Sequence, residues 1–354
     1  MTVAATKIVW SHAARQAAFE RWIAAIAPRH GLRLDSLAPA SADASFRRYL
    51  RLDADAAEGG SLIVMDAPPP QEDVRPFVHV AGLAAAAGLH APRVLEADVD
   101  HGFLLLTDLG RDLYLDALQA AAPAQADRLM RDALAALLRW QQGVPADALP
   151  ACDAALLGRE LALFPEWCVG REFGVAWGAD ERAAWQRIVE LLVASALAQP
   201  RVAVHADWMP RNLMLAPAGA ASPGVLDFQD AMAGPVSYDL ASLLRDAFVS
   251  WDEEQELDWA VRWWQQARRA GLPVDTDFGE FWRALEWMGL QRHLKVLGIF
   301  CRLKHRDGKP RYAADLPRFF GYAQRVALRY APLRPLLRLL EPLSGAAVRA
   351  GYTF

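Results

Sequence analysis

Cysteine is scarce in this sequence of 354 residues. The three cysteines, Cys152, Cys168 and Cys301, include no C-x-x-C pair. Their odd number suits reduced thiols, and the missing pair argues against a zinc site. We therefore expect all three to be core residues of a protein from a reducing compartment.

Long apolar runs and an excess of basic residues are also missing. No uninterrupted segment reaches the ~18 apolar residues that a membrane helix needs. Arg15, Glu20 and Arg21 interrupt the apolar stretch near the N-terminus, which does not resemble a signal peptide. The net charge is −4 and the isoelectric point is about 6.1, which argues against a dominant nucleic-acid surface. These absences predict a cytoplasmic protein that binds neither nucleic acid nor membrane.

The first 109 residues read as a small mixed lobe. The composition, 54% hydrophobic and 23% charged, is that of a packed protein, and the length allows two lobes. Helical spacing and short apolar runs predict, in order, a helix at 15–26, strands at 45–52 and 62–65, a helix at 72–87, and strands at 93–97 and 103–107. Because these elements do not alternate strictly, we expect an α+β lobe with an antiparallel sheet.

The rest of the chain, residues 110–354, reads as a larger and mainly helical lobe. The predicted helices are 126–142, 182–198, 240–249, 256–270, 281–305 and 316–329. Only two short strands, 202–204 and 225–226, interrupt them. The predicted domains are thus 1–109 and 110–354.

One stretch of the sequence contains the main candidates for catalytic residues. Residues 205–212 have the form H-x-D-x-x-x-x-N, with His205, Asp207 and Asn212 at the defined positions, and they follow a strand-like run. Further on, Asp227 ends a second apolar run. Phosphoryl transfer from ATP needs one carboxylate to accept a proton, and oxygen ligands to hold Mg²⁺. An isolated HxD is common by chance, so the interpretation depends on the complete set.

The pattern resembles the aminoglycoside phosphotransferase family, which has a protein-kinase-like two-lobe fold. Residues 234–241 are similar to its G-P-x-x-x-D-L-A segment. The resemblance implies an ATP- and Mg²⁺-dependent kinase. In such an enzyme Asp207 would be the catalytic base, and Asn212 and Asp227 would be the metal ligands. His205 and Asp239 would only orient the catalytic loop.

The stretches 43–49, 64–69, 226–231 and 289–298 resemble one branch more closely, the bacterial anomeric sugar kinases of cell-wall recycling. Those enzymes phosphorylate the C1 hydroxyl of N-acetylmuramate and N-acetylglucosamine. The resemblance extends from about residue 43 to 322. It implies the same reaction here, in peptidoglycan recycling, with a monomer as the expected state.

The resemblance also implies a nucleotide site. Its residues would be Ser45, Phe46, Arg47 and Arg48 at the phosphates, and Thr107, Asp108 and Leu109 at the adenine. There is one departure, because no lysine occurs between Lys7 and Lys295 and the usual third-strand lysine is missing. Glu72, on the helix predicted at 72–87, would then lack its usual ion-pair partner, and we hypothesise that Arg47, Arg48 or Arg51 replaces the lysine.

The acceptor site is less well defined. Gln229 and Asp230 follow the metal-binding Asp227 closely, so they are candidates to contact the sugar. Arg292 belongs to a basic group on the helix predicted at 281–305, where it could bind the lactyl carboxylate of N-acetylmuramate or simply face solvent. Two alternatives stay open: a kinase of an aminoglycoside, choline or another sugar, and a nucleotide-binding pseudokinase.

Overall fold

The computed structural model describes residues 8–10, 12–41, 46–55, 57, 59–217 and 220–351. The chain divides into two units. Unit 1 comprises Met1–Tyr114 and Asn212–Asp230, and unit 2 comprises Leu115–Arg211 and Ala231–Phe354. The chain thus leaves unit 1, returns to it for a short segment, and leaves again. The division into a nucleotide-covering lobe, 1–109, and a lobe with the catalytic and acceptor sites, 110–354, stays a prediction.

The strands within these ranges form one large sheet and two small ones. They are β1 (Leu32–Ser41), β2 (Arg48–Ala54), β3 (Ser61–Asp66), β4 (Val94–Asp98), β5 (Phe103–Thr107), β6 (Arg201–Val204), β7 (Leu213–Met214), β8 (Gly224–Val225) and β9 (Met232–Pro235). The large sheet has the order β1-β2-β3-β5-β4. All of its neighbouring strands are antiparallel, which confirms the predicted α+β class.

The edge strand β1 was not predicted from the sequence. Its ten residues, Leu32–Ser41, include Asp35 and Pro39 and lack a clear alternation of apolar and polar side chains. Its pairing with β2 is interrupted by two register shifts. Proline and irregular pairing are tolerated at an edge, where one side of the strand needs no partner.

Helices make up most of the remaining structure. The α-helices are α1 (Ala13–His30), α2 (Arg75–Ala86), α3 (Tyr114–Ala120), α4 (Pro123–Gly143), α5 (Ala154–Leu163), α6 (Ala179–Ala198), α7 (Tyr238–Leu244), α8 (Glu253–Arg269), α9 (Phe278–His305), α10 (Leu316–Arg329) and α11 (Pro335–Gly351). Short 3₁₀ turns occur at Ala146–Ala148, Pro210–Asn212, Pro310–Asp315 and Ala331–Leu333, and a π-helical stretch, Phe164–Glu172, follows α5. The six predicted C-terminal helices are confirmed within a few residues, whereas α3, α5 and α11 were not predicted. In the described parts of the chain, no helix combines the length and apolar character that crossing a membrane requires.

The core of unit 1 lies between α1 and one face of the large sheet. Phe19, Ile23 and Ile26 repeat at helical spacing and are buried. They pack on side chains that share one face of the sheet: Leu50, Leu52, Leu62, Val64, Phe103 and Leu105. Because successive strand residues point to opposite faces, the residues between these face away from α1.

The core of unit 2 is built around α9, a helix of 28 residues. Leu290, Leu294, Leu297 and Cys301 follow each other at spacings of four, three and four and are fully buried. Gly298 approaches the backbone of Leu163 in α5 so closely that a Cβ atom there would lie 2.5 Å from the Leu163 carbonyl carbon. The sequence therefore needs glycine at this crossing because there is no room for a side chain.

Three charged residues in the same unit are almost completely buried. Arg245 donates through Nε to Glu256 at 2.9 Å and through Nη2 to Glu286 at 3.0 Å. Arg329 and Tyr330 also donate to Glu286, at 2.7 Å and 2.6 Å. Removing one partner from such a network leaves an uncompensated charge and costs about 3–5 kcal/mol. The network thus ties α8 and α9 to α7 and the end of α10.

Two glycine substitutions should change stability in opposite directions. Gly298→Ala should lower the free energy of unfolding by about 1–3 kcal/mol, because the new methyl group overlaps Leu163. Gly321→Ala in α10 should raise it by about 0.5–1 kcal/mol, because its Cβ would meet nothing within 4 Å and alanine favours the helix. Urea denaturation of both variants measures the effects, and equal shifts would contradict the close packing at Gly298.

Candidate active site

The H-x-D segment directly follows β6 in unit 2. His205 is fully buried, and its ring meets the rings of Trp140 and Trp208 edge-on, with centroids 5.3 Å apart in both pairs. Trp140 also donates through Nε1 to the carbonyl of Ala203 at 3.1 Å. His205 therefore has the surroundings of an anchoring residue, as the resemblance implied.

The backbone of this segment is held in an unusual conformation. Ala206 has a φ of 79°, in the left-handed region that a residue with a Cβ atom rarely adopts. The buried carboxylate of Asp239 accepts hydrogen bonds from the backbone N–H of His205, at 2.7 Å, and of Ala206, at 3.1 Å. Such a conformation costs about 1–3 kcal/mol and persists only where its surroundings fix it. Burial raises the pKa of Asp239 to about 7, against the lowering effects of the two N–H groups and of Arg292.

Arg292 also bonds the backbone of this segment. Its Nη1 donates to the carbonyl of Ala206 at 2.8 Å, and its Nη2 lies 4.0 Å from the nearer carboxylate oxygen of Asp207. The guanidinium stacks over the ring of Tyr238, 4.6 Å from its centroid. The side chain of Arg292 is buried, whereas 42% of the surface of the Asp207 side chain is exposed. The loop thus presents one carboxylate to solvent while buried groups fix its backbone.

The predicted metal ligands lie together in unit 1. Asn212 and Asp227 are joined by a contact of 3.4 Å between Nδ2 and Oδ2. Their backbones are aligned by the β7–β8 ladder and by a hydrogen bond of 2.9 Å from Leu226 N–H to the Asn212 carbonyl. Asp227 has a φ of 62°, which turns the chain sharply just after β8. The sequence brings these two side chains together because they flank a pair of strands that are close in the chain.

Gln229 and Asp230, the predicted acceptor residues, lie beside this pair. Gln229 donates through Nε2 to Asp227 Oδ1 and to Asp230 Oδ2, both at 3.0 Å. An amide that bridges two carboxylates reduces their mutual repulsion and fixes the orientation of Asp227.

The donor set of this pair suits Mg²⁺. Within the described residues, no group of three or more His, Cys, Asp and Glu side chains could by itself hold a metal ion. Mg²⁺ does not need such a cage, because it retains several waters and takes one or two protein oxygens together with phosphate oxygens. Asn212 and Asp227 offer one neutral and one charged oxygen within a few ångströms, so they fit the ion.

The three arginines proposed to replace the missing lysine each have a carboxylate partner in unit 1. Arg47 donates through Nε to Glu72 at 2.8 Å, so Glu72 pairs with an arginine where the usual partner is a lysine. Glu72 also precedes α2 rather than lying on it. Arg48 bonds Asp66 through Nε and Nη2, and Arg51 bonds Asp108 through the same two atoms. The sequence showed these acidic residues but gave no sign of which arginine each would meet.

The predicted nucleotide residues differ in what surrounds them. Thr107 Oγ1 accepts from the Arg93 N–H at 2.9 Å, and Leu109 is buried. The Asp108 carboxylate accepts from Arg51, from Ser61 Oγ at 2.7 Å and from Gly110 N–H at 2.9 Å. Burial raises the pKa of Asp108, but these hydrogen bonds outweigh it and the pKa lies below its ordinary value. The side chain of Asp108 is therefore occupied within the protein.

Ser45 and Phe46 are the first two residues that were predicted to lie at the phosphates, and the structure describes only Phe46. Phe46 is 67% exposed, which is unusual for an aromatic side chain and leaves its ring available for contact. Ser45 lies outside the described residues.

Lys295 and Glu160 were not predicted as site residues, although Lys295 belongs to the basic group on α9. Lys295 Nζ lies 2.5 Å from Glu160 and 3.4 Å from the hydroxyl of Tyr238, the residue on which Arg292 stacks. Burial lowers the pKa of Lys295, but the charges of Tyr238 and Glu160 outweigh it and the pKa is raised. The only signal in the sequence was the run of basic residues on one predicted helix, which does not single out Lys295.

An oriented carboxylate, an oxygen pair suited to Mg²⁺, a unit with a five-stranded sheet and a second, helical unit are the features of a kinase-like phosphotransferase. A model of the phosphotransferase enzyme family matches residues 36–278. The chain belongs to this family and is a small-molecule phosphotransferase.

Two relatives match most of the chain. The N-acetylmuramate/N-acetylglucosamine kinase of Pseudomonas aeruginosa is 54% identical over 313 residues, which cover 88% of this chain and 89% of the relative. The kinase of the same name from Neisseria meningitidis is 46% identical over 342 residues, which cover 96% and 99%. Among solved structures, the ternary complex of streptomycin, ATP and APH(2'')-IIa is similar with a TM-score of 0.56 at 14% identity, over 87% of this chain and 97% of that chain. The structural likeness shows the fold alone.

The role of Asp239 can be tested by an isosteric change. Asp239→Asn should lower the free energy of unfolding by about 1.5–3 kcal/mol, because the amide offers one acceptor where two N–H groups need two. Misplacement of the adjacent Asp207 should also reduce kcat about 100-fold. Chemical denaturation and steady-state kinetics measure the two effects.

Asp246→Asn is the matched control. Asp246 is also buried, but a single carboxylate oxygen accepts from the N–H groups of both Phe248 and Val249. An amide keeps that oxygen, so stability and kcat should stay near those of the unsubstituted protein. A loss of kcat as large as that of Asp239→Asn would show that the effect is not specific to the segment around Ala206.

Proposed function

We propose that this protein transfers the γ-phosphoryl group of ATP to the anomeric C1 hydroxyl of N-acetylmuramate and N-acetylglucosamine, in peptidoglycan recycling. The observation that carries the proposal is the identity of 46–54% to two kinases of that name, over most of the length of each chain. The local surroundings of Asp207, Asn212 and Asp227 support it, since each suits the assigned role. The protein acts as a cytoplasmic monomer in this proposal.

Asp207 is the proposed general base. It carries an exposed carboxylate on a loop that Asp239 and Arg292 hold through the backbone of Ala206. A fixed carboxylate can accept the proton of the anomeric hydroxyl as its oxygen attacks phosphorus. Transfer is then direct and in line, with no covalent enzyme intermediate, because positioning and charge neutralisation supply most of the catalysis.

Asn212 and Asp227 are the proposed Mg²⁺ ligands, with Gln229 orienting Asp227. The ion, when bound with ATP, neutralises charge on the β- and γ-phosphates. Residues 1–109 would cover the nucleotide, with Thr107, Asp108 and Leu109 at the adenine through their backbone groups. Asp230, which shares Gln229 with Asp227, is a proposed acceptor contact.

Measuring ADP release with a panel of acceptors tests the proposal. N-acetylmuramate and N-acetylglucosamine should both support turnover, whereas kanamycin, choline and other hexoses should not. Preferred turnover of kanamycin, choline or another hexose would favour a kinase of a different small molecule. Nucleotide binding without turnover of any acceptor would indicate a pseudokinase.

Asp207→Asn is the matched variant for this assay. It removes the proton acceptor but keeps the size of the side chain, so turnover should be lost while ADP binding persists. If ADP binding were lost instead, Asp207 would have a structural role.

Arg292 allows two interpretations that kinetics separate. If it positions Asp207, Arg292→Met should reduce kcat for both sugars about 100-fold with little change in KM, and Arg292→Lys should restore part of it. If it binds the lactyl carboxylate, KM should rise for N-acetylmuramate alone. The burial of Arg292 and its bond to Ala206 favour the first outcome. Lys304→Met, at a more exposed position of α9 that pairs with Glu172, is the control and should leave both parameters unchanged.

A further inference from the structure

Two adjacent residues at the start of α7, Tyr238 and Asp239, support the left-handed residue Ala206 through its N–H and its carbonyl. Asp239 accepts from the Ala206 N–H at 3.1 Å. The Ala206 carbonyl accepts from Arg292 at 2.8 Å, and the Arg292 guanidinium lies 4.6 Å from the centroid of the Tyr238 ring. The ring of Tyr238 therefore supports the arginine that bonds the peptide group before Asp207.

The hydroxyl of Tyr238 has a charged neighbour. Lys295 Nζ lies 3.4 Å from it, and Tyr238 is completely buried, so water does not compete for the hydroxyl. The distance is long for a hydrogen bond, but the charge of an ammonium acts over several ångströms in a buried place. Burial raises the pKa of Tyr238, and the charge of Lys295 is the largest effect that lowers it. Lys295 therefore holds the hydroxyl end of the ring.

Lys295 is itself held by Glu160 of α5. The ammonium nitrogen lies 2.5 Å from a carboxylate oxygen, and both side chains are largely buried, with 19% and 14% of their surfaces exposed. An ammonium has three N–H donors, which suffice for a carboxylate and a phenol. Because a lysine side chain is flexible, the carboxylate is what keeps the ammonium beside the phenol.

These contacts form a chain across three helices of unit 2. Glu160 of α5 bonds Lys295 of α9, and Lys295 meets Tyr238 of α7. The Tyr238 ring then supports Arg292, which lies three residues before Lys295 on α9. Residues three apart on a helix share a face, so α9 brings two cations to one ring. The chain ends at the backbone next to Asp207, which connects α5 to that segment.

We propose that Lys295, held by Glu160, is a positioning residue for the reaction. It fixes the Tyr238 ring, which in turn supports Arg292 and the segment that carries Asp207. The proposal rests on the proposed function, in which Asp207 is the general base. It gives a role in the reaction to α5, a helix that has no other residue in the proposed site. Lys295 and Glu160 act through the chain and do not bind the acceptor.

The first test separates positioning from acceptor binding. Lys295→Met should reduce kcat about 10-fold for both N-acetylmuramate and N-acetylglucosamine and leave both KM values unchanged, because the base is misplaced while the sugar site is intact. Lys295→Arg should recover part of kcat, since it keeps a cationic donor next to Glu160. A rise in KM for either sugar with kcat unchanged would overturn the proposal, because Lys295 would then be a binding residue.

The second test asks whether Lys295 acts through Tyr238. Tyr238→Phe removes the hydroxyl and keeps the ring, so it should reduce kcat about as much as Lys295→Met. Changes within one chain of contacts are not additive, so the double variant should lose no more than either single variant. A loss of about 100-fold in the double variant, the product of two independent effects, would contradict the chain. An unchanged kcat in Tyr238→Phe would contradict it as well.

Lys304→Met is the matched control, because it breaks another pair of lysine and glutamate on the same helix. The partner, Glu172, is bonded by Lys304 and by His305 at the end of α9. This variant should leave kcat and KM unchanged, and a loss equal to that of Lys295→Met would show a general effect of ion pairs on α9.

A second set of variants covers the case in which Lys295→Met does not fold. Tyr238→Phe, Glu160→Gln and their double variant then decide, by the same comparison of single and combined losses in kcat. Glu160→Gln alone should lose part of kcat with KM unchanged, because Lys295 is less firmly held. A failure of the unsubstituted protein to phosphorylate either sugar would instead overturn the proposed function.

Discussion

The hydrogen bonds from two backbone N–H groups to the buried carboxylate of Asp239 are the interaction on which the proposed chemistry depends. They hold Ala206 at a φ of 79°, a conformation that the chain would not keep without them. Arg292 completes the arrangement by bonding the Ala206 carbonyl. Asp207 is thereby oriented through its backbone, so its carboxylate can stay exposed to solvent and still have a defined position.

A second constraint is the pairing of arginines with carboxylates in a protein that contains few lysines. Asp66, Glu72 and Asp108 each receive an arginine from the segment around β2. Each pair places a planar, permanently charged group in a defined direction, which a flexible lysine would do less well. Each of the three arginines meets a different carboxylate, so the same chemistry serves three places in the unit.

The fold and the proposed substrate are supported by different observations. Structures of about 14% identity share the architecture with this chain, but they are named for the modification of aminoglycosides rather than of amino sugars. The substrate proposal rests instead on relatives of 46–54% identity. Within the fold, the proposed base and metal ligands are common to the reaction type, so they do not select the acceptor.

The sequence alone determined most of the helices, and it marked the residues that we propose for the chemistry. The spacing of Asp207, Asn212 and Asp227 is local, and helical periodicity in α4, α6, α9 and α10 is visible over many residues. Only the tertiary structure decided the partners of the charged residues and the existence of β1. An ion pair such as Arg47–Glu72 joins residues that are 25 positions apart, and an irregular edge strand is stabilised by its neighbour rather than by its own pattern. Such contacts depend on how the elements pack, which no local pattern records.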